Sequence, residues 1–191
     1  MTPAVRFGGR TVLPDASTIV WSVAEGTRGR RWREAVTDAE GGLRRSLLLE
    51  VSPAGGPARL EMTTAAGLLT VHPDHDGRLL HGNVVTATGL RHVRLDWSFE
   101  HELFVVGSPA AASVALRRFA DILAVGETRP VPVVWIDDAL EPRAGTWEVR
   151  RTGPESWHLR DLDGNEERTT RIDADGIPIT AGTQRWPLEP G

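Results

Sequence analysis

The sequence contains no cysteine, no tyrosine and no lysine, so that all 22 of its basic residues are arginine. Without cysteine, the chain can form no disulfide, no thiolate nucleophile and no cysteine-ligated zinc site. Without lysine, it supports neither Schiff-base chemistry nor a phosphate-binding loop that depends on a lysine side chain. These absences exclude several large classes of enzymes and metalloproteins.

Long hydrophobic runs are missing as well. No apolar stretch approaches the roughly 20 residues that a membrane-spanning helix requires, and residues 1–9 lack the charged start and apolar core of a signal peptide. We therefore expect no transmembrane segment and a cytoplasmic location. The formal net charge of −4 gives no reason to expect a nucleic-acid partner.

A short turn motif is repeated along the chain. Asp-x-Asp-Gly occurs at 74–77, 161–164 and 173–176. Asp-Gly between apolar runs is a strong hairpin signal, because glycine adopts positive φ at low cost and aspartate hydrogen-bonds within its own turn. Together with the alternation of apolar and polar residues in about ten short segments, these turns predict an all-β, mostly antiparallel protein.

One segment is predicted to be helical. Ser108 is a favourable N-cap residue and Pro109 suits the first helical position. Apolar residues then recur near helical spacing until Gly126 ends the pattern. The sequence therefore predicts one main helix over 109–124.

The predicted organisation is a loose N-terminal lead-in over 1–16 followed by one β-rich domain over 17–188. An extended antiparallel sheet must curl, and one amphipathic helix covers only part of its concave face. The rest of that face requires a second layer, a partner or a cavity. We expect a half-barrel that encloses an apolar pocket, and the oligomeric state is left open.

Aromatic and arginine residues are the candidates for ligand binding. The chain has seven tryptophans and four phenylalanines. Most tryptophans are expected to anchor the core, while others line an apolar pocket whose ligand presents an anionic or hydroxylated head group to arginine. The candidate ligand-binding residues are Trp21, Trp97, Trp135, Arg117, Arg118 and Phe119.

Acid–base and metal chemistry are the alternatives. His92, Asp96 and His101 lie on or beside predicted strands, where polar side chains are usually solvated. If they line the pocket instead, the chain is an enzyme, such as a cyclase or isomerase acting on a hydrophobic metabolite. The histidines and aspartates of 72–76 lie on a turn from which side chains splay outward, so we expect no metal and no cofactor.

The order of short motifs in the second half of the chain is similar to that of a bacterial glycolipid-binding family. The matching segments are Leu95-Asp96-Trp97, Gly107-Ser108-Pro109, Leu116-Arg117-Arg118-Phe119, Leu123-Ala124-Val125-Gly126-Glu127 and Asp173-x-Asp175-Gly176-Ile177. This resemblance implies curved β half-barrels, akin to bacterial lipoprotein carriers, around an apolar cavity. It also implies noncatalytic binding of a lipid, a glycolipid or a similar amphipathic small molecule.

Overall fold

The computed structural model describes residues 6–164, 166–179 and 184–187. Within them the chain forms one helix, α1 (Pro109–Ala120), among a series of strands. In chain order the strands are β1 (Arg6–Val12), β2 (Thr18–Gly26), β3 (Gly29–Thr37), β4 (Leu43–Val51), β5 (Pro57–Thr64), β6 (Gly67–Pro73), β7 (Leu79–Thr86), β8 (Gly89–Asp96), β9 (Glu102–Val105), β10 (Thr128–Ile136), β11 (Pro142–Arg151), β12 (Ser156–Asp161), β13 (Glu167–Arg171) and β14 (Gln184–Pro187).

The strands form two sheets. The larger is a nine-stranded antiparallel sheet in the order β14-β1-β2-β3-β4-β5-β6-β7-β8. The smaller has five strands in the order β13-β12-β11-β10-β9 and curls as a half-barrel. Only the pairing of β9 with β10 is parallel among the described strand pairs, because α1 lies in the connection between them. The predicted all-β fold with one main helix is confirmed.

The Asp-x-Asp-Gly segments form turns, as predicted. At the β6–β7 turn, Asp74 Oδ1 accepts hydrogen bonds from the backbone N–H groups of Arg78 and Leu79 at 2.8 and 3.2 Å. In the turn after β13, Asp173 Oδ1 accepts from the N–H of Ile177 at 2.8 Å. The remaining copy connects β12 to β13. In each the aspartate carboxylate holds the turn, which explains the repeated motif.

Helix α1 begins as predicted but ends earlier. Ser108 is the N-cap and its Oγ accepts a hydrogen bond from the N–H of Ala111 at 3.1 Å. The helix ends at Ala120 rather than at residue 124. Arg151 Nη1 lies 2.8 Å from the carbonyl oxygens of both Ala120 and Leu123, so a distant side chain satisfies the carbonyls that a longer helix would have paired.

Part of the expected loose lead-in over 1–16 is a strand, while residues 1–5 of it lie outside the described residues. Residues 6–12 form β1, which pairs with β2 on one side and with β14 on the other. Gly9 lies opposite Trp21, and a Cβ atom at Gly9 would lie 2.2 Å from the indole ring. The glycines that indicate a loop from sequence alone therefore make room for an aromatic side chain in a sheet.

Helix α1 lies between the two sheets. One face of the helix packs against the nine-stranded sheet through Ala110, Ala111 and Val114. The opposite face packs against the five-stranded sheet through Ala112, Ala115, Leu116 and Phe119. Strands β9 and β10 also contribute to the first of these cores, with Leu103, Val105, Val134 and Ile136. A second layer therefore covers much of the sheet face on which a pocket was expected.

Candidate functional site

A groove of about 470 Å³ runs along the C-terminal half of α1. One wall is the helix, and the other is formed by the tips of the β2–β3 and β4–β5 hairpins. We call it the helix groove, and its lining residues are Glu25, Gly26, Gly29, Arg30, Val51, Ser52, Pro53, Ala54, Gly55, Val114, Arg117, Arg118, Asp121 and Ile122.

The two hairpin tips meet closely at Gly29. Its φ of +101° lies in the left-handed region that favours glycine, and a Cβ atom there would lie 2.0 Å from the carbonyl oxygen of Val51. Only glycine allows the first tip to lie against the second. This contact gives the helix groove a continuous wall opposite α1.

Two arginines in the groove differ in how firmly they are held. Arg30 is largely buried, and its Nε and Nη1 donate to Glu25 Oε2 at 3.0 Å and to the carbonyl oxygen of Asp175 at 2.8 Å. Arg117 Nη1 makes only long contacts with the same two acceptors, at 3.5 and 3.4 Å. The Arg117 side chain is 43% exposed. Arg117 is therefore the weakly held cation of this site.

Arg118 is held by the buried side chain of Glu102 and by a backbone carbonyl oxygen. Its Nη1 donates to Glu102 Oε1 at 2.5 Å, and its Nη2 donates to the carbonyl oxygen of Phe99 at 2.6 Å. Glu102 is buried, and its Oε2 has no hydrogen-bond partner among the described residues. Burial raises the pKa of Glu102 to about 8, against the opposing effect of Arg118.

The raised pKa of Glu102 makes the stability of the folded protein depend on pH. An unfolded glutamate titrates with a pKa near 4.3, so the folded protein holds this proton more tightly. The stabilising contribution is full below that unfolded pKa and is lost as the pH rises towards about 8. We expect the melting temperature of the native protein to fall over this range, and Glu102→Gln to reduce the fall. Thermal melts in a buffer series test this, and parallel curves for the two proteins would contradict it.

A smaller groove of about 290 Å³ adjoins the helix groove and shares Arg118 and Ile122 with it. We call it the adjoining groove, and its other lining residues are Phe99, Glu100, Phe119, Arg129, Pro130, Val131 and Pro132. Arg118 thus borders both spaces, while its backbone partner Phe99 lies at the edge of the smaller one.

At the other end of α1 is a groove of about 490 Å³ between the β1–β2 turn and β13. Its cation is Arg168, which donates to Glu166 Oε2 at 2.6 Å and lies over the Trp147 ring at 4.9 Å. The Arg168 guanidinium is therefore already engaged by the Glu166 carboxylate and by the Trp147 ring. The helix groove, which contains Arg117, is therefore the better candidate for an anionic ligand.

The predicted ligand-binding residues are separated in the structure. Arg117 and Arg118 both line the helix groove, whereas Phe119 is buried between α1 and the five-stranded sheet and reaches only the adjoining groove. Trp21 is fully buried in the core, 5.6 Å from Trp32 between ring centroids.

The other two candidate tryptophans also lie outside the helix groove. Trp97 is buried, with its ring centroid 5.2 Å from that of His101. Trp135 is half-buried and the Arg143 guanidinium lies over its ring at 5.0 Å. Each indole thus has a packing partner of its own, and the structure brings none of them to Arg117.

The acid–base candidates do not line the helix groove either. His92 is exposed on β8, where its Nδ1 lies 2.7 Å from Asn83 Oδ1. Asp96 follows four residues later on the same strand, about 13 Å away at the rise of an extended chain. The Nδ1 of His101 accepts from the N–H of Ser98 at 3.1 Å, and burial lowers the pKa of His101. Within the described residues, no group of three or more histidine, cysteine, aspartate or glutamate side chains is arranged to hold a metal ion.

Sequence reasoning missed a buried polar network at the start of α1. Glu34 Oε2 accepts from Ser108 Oγ at 2.8 Å and from the N–H of Ala110 at 3.2 Å, while its Oε1 accepts from Arg45 Nη2 at 3.1 Å. Burial raises the pKa of Glu34. A signal was present, because Glu34 lies between Trp32 and Val36 on the inward face of β3. A charge at an inward position requires a buried partner.

The comparisons with known proteins show the fold. No family model matches the chain, and no curated protein matches it. A crystal structure of a DUF1089 family protein from Pseudomonas aeruginosa is similar, with a TM-score of 0.54 and 18% sequence identity. The match covers 94% of this chain and 90% of that protein. The two proteins therefore share a β fold over nearly their whole lengths. No helix in the described part of the chain is both long and apolar enough to cross a membrane.

Proposed function

We propose that the protein binds an amphipathic molecule with an anionic head group in the helix groove, without converting it chemically. The placement of Arg117 carries this proposal, because its half-exposed guanidinium lines the groove and makes only long contacts there. A guanidinium presents its donors in a planar fork that matches carboxylate and phosphate oxygens. The proposal narrows the expected lipid or glycolipid ligand to one with a negative charge.

The walls beside Arg117 suit an apolar chain. Val114 and Ile122 lie on the helix side, and Val51, Pro53 and Ala54 lie on the hairpin side. The volume of about 470 Å³ falls within the range of about 300–1,000 Å³ that is typical of small-molecule sites. A ligand with its head group at Arg117 can therefore place its hydrocarbon chain along these walls.

The polar groups of the groove support binding rather than catalysis. None of the described residues that line the groove is a histidine. Glu25 is held by Arg30, and Asp121 is the C-cap of α1. General acid–base catalysis requires a titratable group positioned on the reacting atoms. The enzyme alternative with His92, Asp96 or His101 therefore remains only as one outcome of the ligand-binding experiment.

The expected affinity is modest. Burying about 300 Å² of apolar surface contributes about 7 kcal/mol, and a charge-assisted hydrogen bond adds about 2 kcal/mol. Association costs at least about 4 kcal/mol in lost translational and rotational freedom. At most about 5 kcal/mol then remains, which corresponds to a dissociation constant of about 0.2 mM or weaker for a short-chain ligand.

Octyl phosphate and octyl glucoside test the proposal, because they share a chain and differ in the charge of the head group. We expect calorimetric binding of octyl phosphate to weaken about tenfold in Arg117→Gln, since a charge-assisted contact is lost. Binding of octyl glucoside should change little. The control is Arg44→Gln, which removes a half-exposed arginine outside the groove.

Four results would count against this function. Octyl phosphate could fail to bind at concentrations well above the expected constant, or could bind Arg117→Gln as tightly as the native protein. Preferred binding of octyl glucoside would favour a neutral glycolipid instead. A conversion product that disappears in His92→Ala or His101→Ala would replace binding with the enzyme alternative.

A further inference from the structure

We infer that the protein docks on an anionic lipid bilayer through an apolar patch of Phe99, Ile122 and Pro130, beside the helix groove. We call these residues the docking patch. The inference rests on the proposed function, because a protein that takes an amphiphile from a bilayer must first contact that surface.

The docking patch is exposed and contiguous. Phe99 is 82% exposed and Ile122 is 55% exposed, and both border the adjoining groove together with Pro130. Single apolar side chains are common on protein surfaces, but a contiguous group beside a groove is typical of an interaction site. The patch also continues into the helix groove, since Ile122 lines both spaces.

Hydrogen bonds hold the loop that presents Phe99. Arg118 binds the Phe99 carbonyl oxygen at 2.6 Å. On the flanking residues, Ser98 Oγ accepts from the N–H of Glu100 at 3.3 Å, and the N–H of Ser98 donates to His101 at 3.1 Å. The backbone is thus fixed on both sides of the exposed ring. A phenylalanine held outward in this way is suited to insertion at the boundary between lipid head groups and acyl chains.

The charge around the patch is complementary to an anionic surface. The chain as a whole has a formal net charge of −4, yet arginines outnumber carboxylates along the two grooves by four to three. Arg28 lies exposed in the turn between β2 and β3 and adds a fifth, while Glu102, which pairs with Arg118, is buried away from the surface. Cationic side chains near anionic lipids strengthen membrane association. The residues counted are Arg30, Arg117, Arg118 and Arg129 against Glu25, Glu100 and Asp121.

Vesicle flotation tests the docking. We expect the native protein to float with vesicles of phosphatidylcholine and phosphatidylglycerol, to float less with phosphatidylcholine alone, and to be released by high salt. Phe99→Asp should lower the bound-to-free ratio at least about tenfold, since burial of a phenylalanine side chain is worth that factor or more. Its melting temperature should not change, because the side chain is exposed.

The matched control is Leu90→Asp. Leu90 is 60% exposed and pairs with the exposed Val85 on another part of the surface. Equal flotation of the native protein and Phe99→Asp, equal losses in both variants, or no flotation would each overturn the inference. A dimer in solution that Phe99→Asp dissociates would overturn it in favour of contact between copies.

The two proposals can fail separately. Phe99 does not line the helix groove, so Phe99→Asp should bind octyl phosphate as the native protein does. If octyl phosphate binds in an Arg117-dependent way and flotation fails, then only the docking is refuted. If flotation depends on Phe99 and octyl phosphate does not bind, then the groove is not the ligand site and the proposed function is refuted.

Discussion

Replacing Arg45 with methionine is expected to lower the free energy of unfolding by about 3–5 kcal/mol, the range seen when one partner of a buried ion pair is removed. Arg45 Nη2 binds Glu34, and its Nη1 binds the Val106 carbonyl oxygen at 2.7 Å and Asp138 Oδ1 at 3.0 Å. Methionine fills a similar volume but leaves the Glu34 carboxylate buried with only Ser108 and a backbone N–H as donors.

The position of the pair explains the expected size of this effect. Glu34 lies on β3 and Arg45 on β4, while their other partners lie at the start of α1 and in the loop after β10. One ion pair therefore joins the nine-stranded sheet to the helix and to the second sheet. Loss of Arg45 removes these links together and leaves an uncompensated charge.

Urea denaturation measures the change, with Arg44→Met as the control. Arg44 precedes Arg45 on β4, but it is half exposed and lies 3.6 Å from Asp15 in a solvent-accessible ion pair. Such pairs contribute less than about 1 kcal/mol. In the double variant Glu34→Leu with Arg45→Met, the loss should be smaller than the sum of the single losses. Equal stabilities of Arg45→Met and Arg44→Met would contradict the role of the network.

The elements that were predictable from sequence depend on local chemistry. The Asp-x-Asp-Gly turns and the Ser108 N-cap each act within a few residues, and the structure confirms both. The end of α1 was less predictable, because Arg151 satisfies its final carbonyls from a strand that follows the helix by many residues. Local patterns contain no information about such a partner.

The candidate site was predictable only in part. Arg117 and Arg118 were identified because they lie on the predicted helix, in a region expected to border a cavity. The opposite wall depends on two hairpin tips that meet at Gly29, and on Arg30 from the first of them. Which tips meet is decided by strand order and twist rather than by residue pattern.

Tryptophan positions illustrate the same limit. Trp21 and Trp97 are large apolar residues in segments where apolar and polar residues alternate. This pattern is the same for an indole in the core and for one at a pocket wall. In the structure both are buried, and Trp21 packs beside Trp32. The space that Trp21 occupies depends in turn on a glycine in another strand.

That glycine is Gly9, which lies against the Trp21 ring. Gly9→Val is expected to destabilise the fold by about 2–3 kcal/mol, the cost of forcing extra atoms into a packed core. A Cβ atom at this position would lie 2.2 Å from the Trp21 ring, and Trp21 is itself fully buried in the core. Since β1 lies between β2 and β14, the strain should also weaken the pairing at this end of the sheet.

Gly56→Val is the matched control, because a Cβ atom at Gly56 would meet no atom within 4 Å. It introduces the same side chain at a turn and should change stability by less than about 0.5 kcal/mol, as most unconstrained surface substitutions do. Two results would contradict the prediction: a Gly9→Val protein as stable as Gly56→Val, or a loss that adds fully to that of Trp21→Leu. The smaller side chain opposite should relieve the clash, so the double variant should lose less than the sum of the single losses. Urea denaturation of the four variants decides whether the Gly9 position is a loose lead-in or a required part of the sheet.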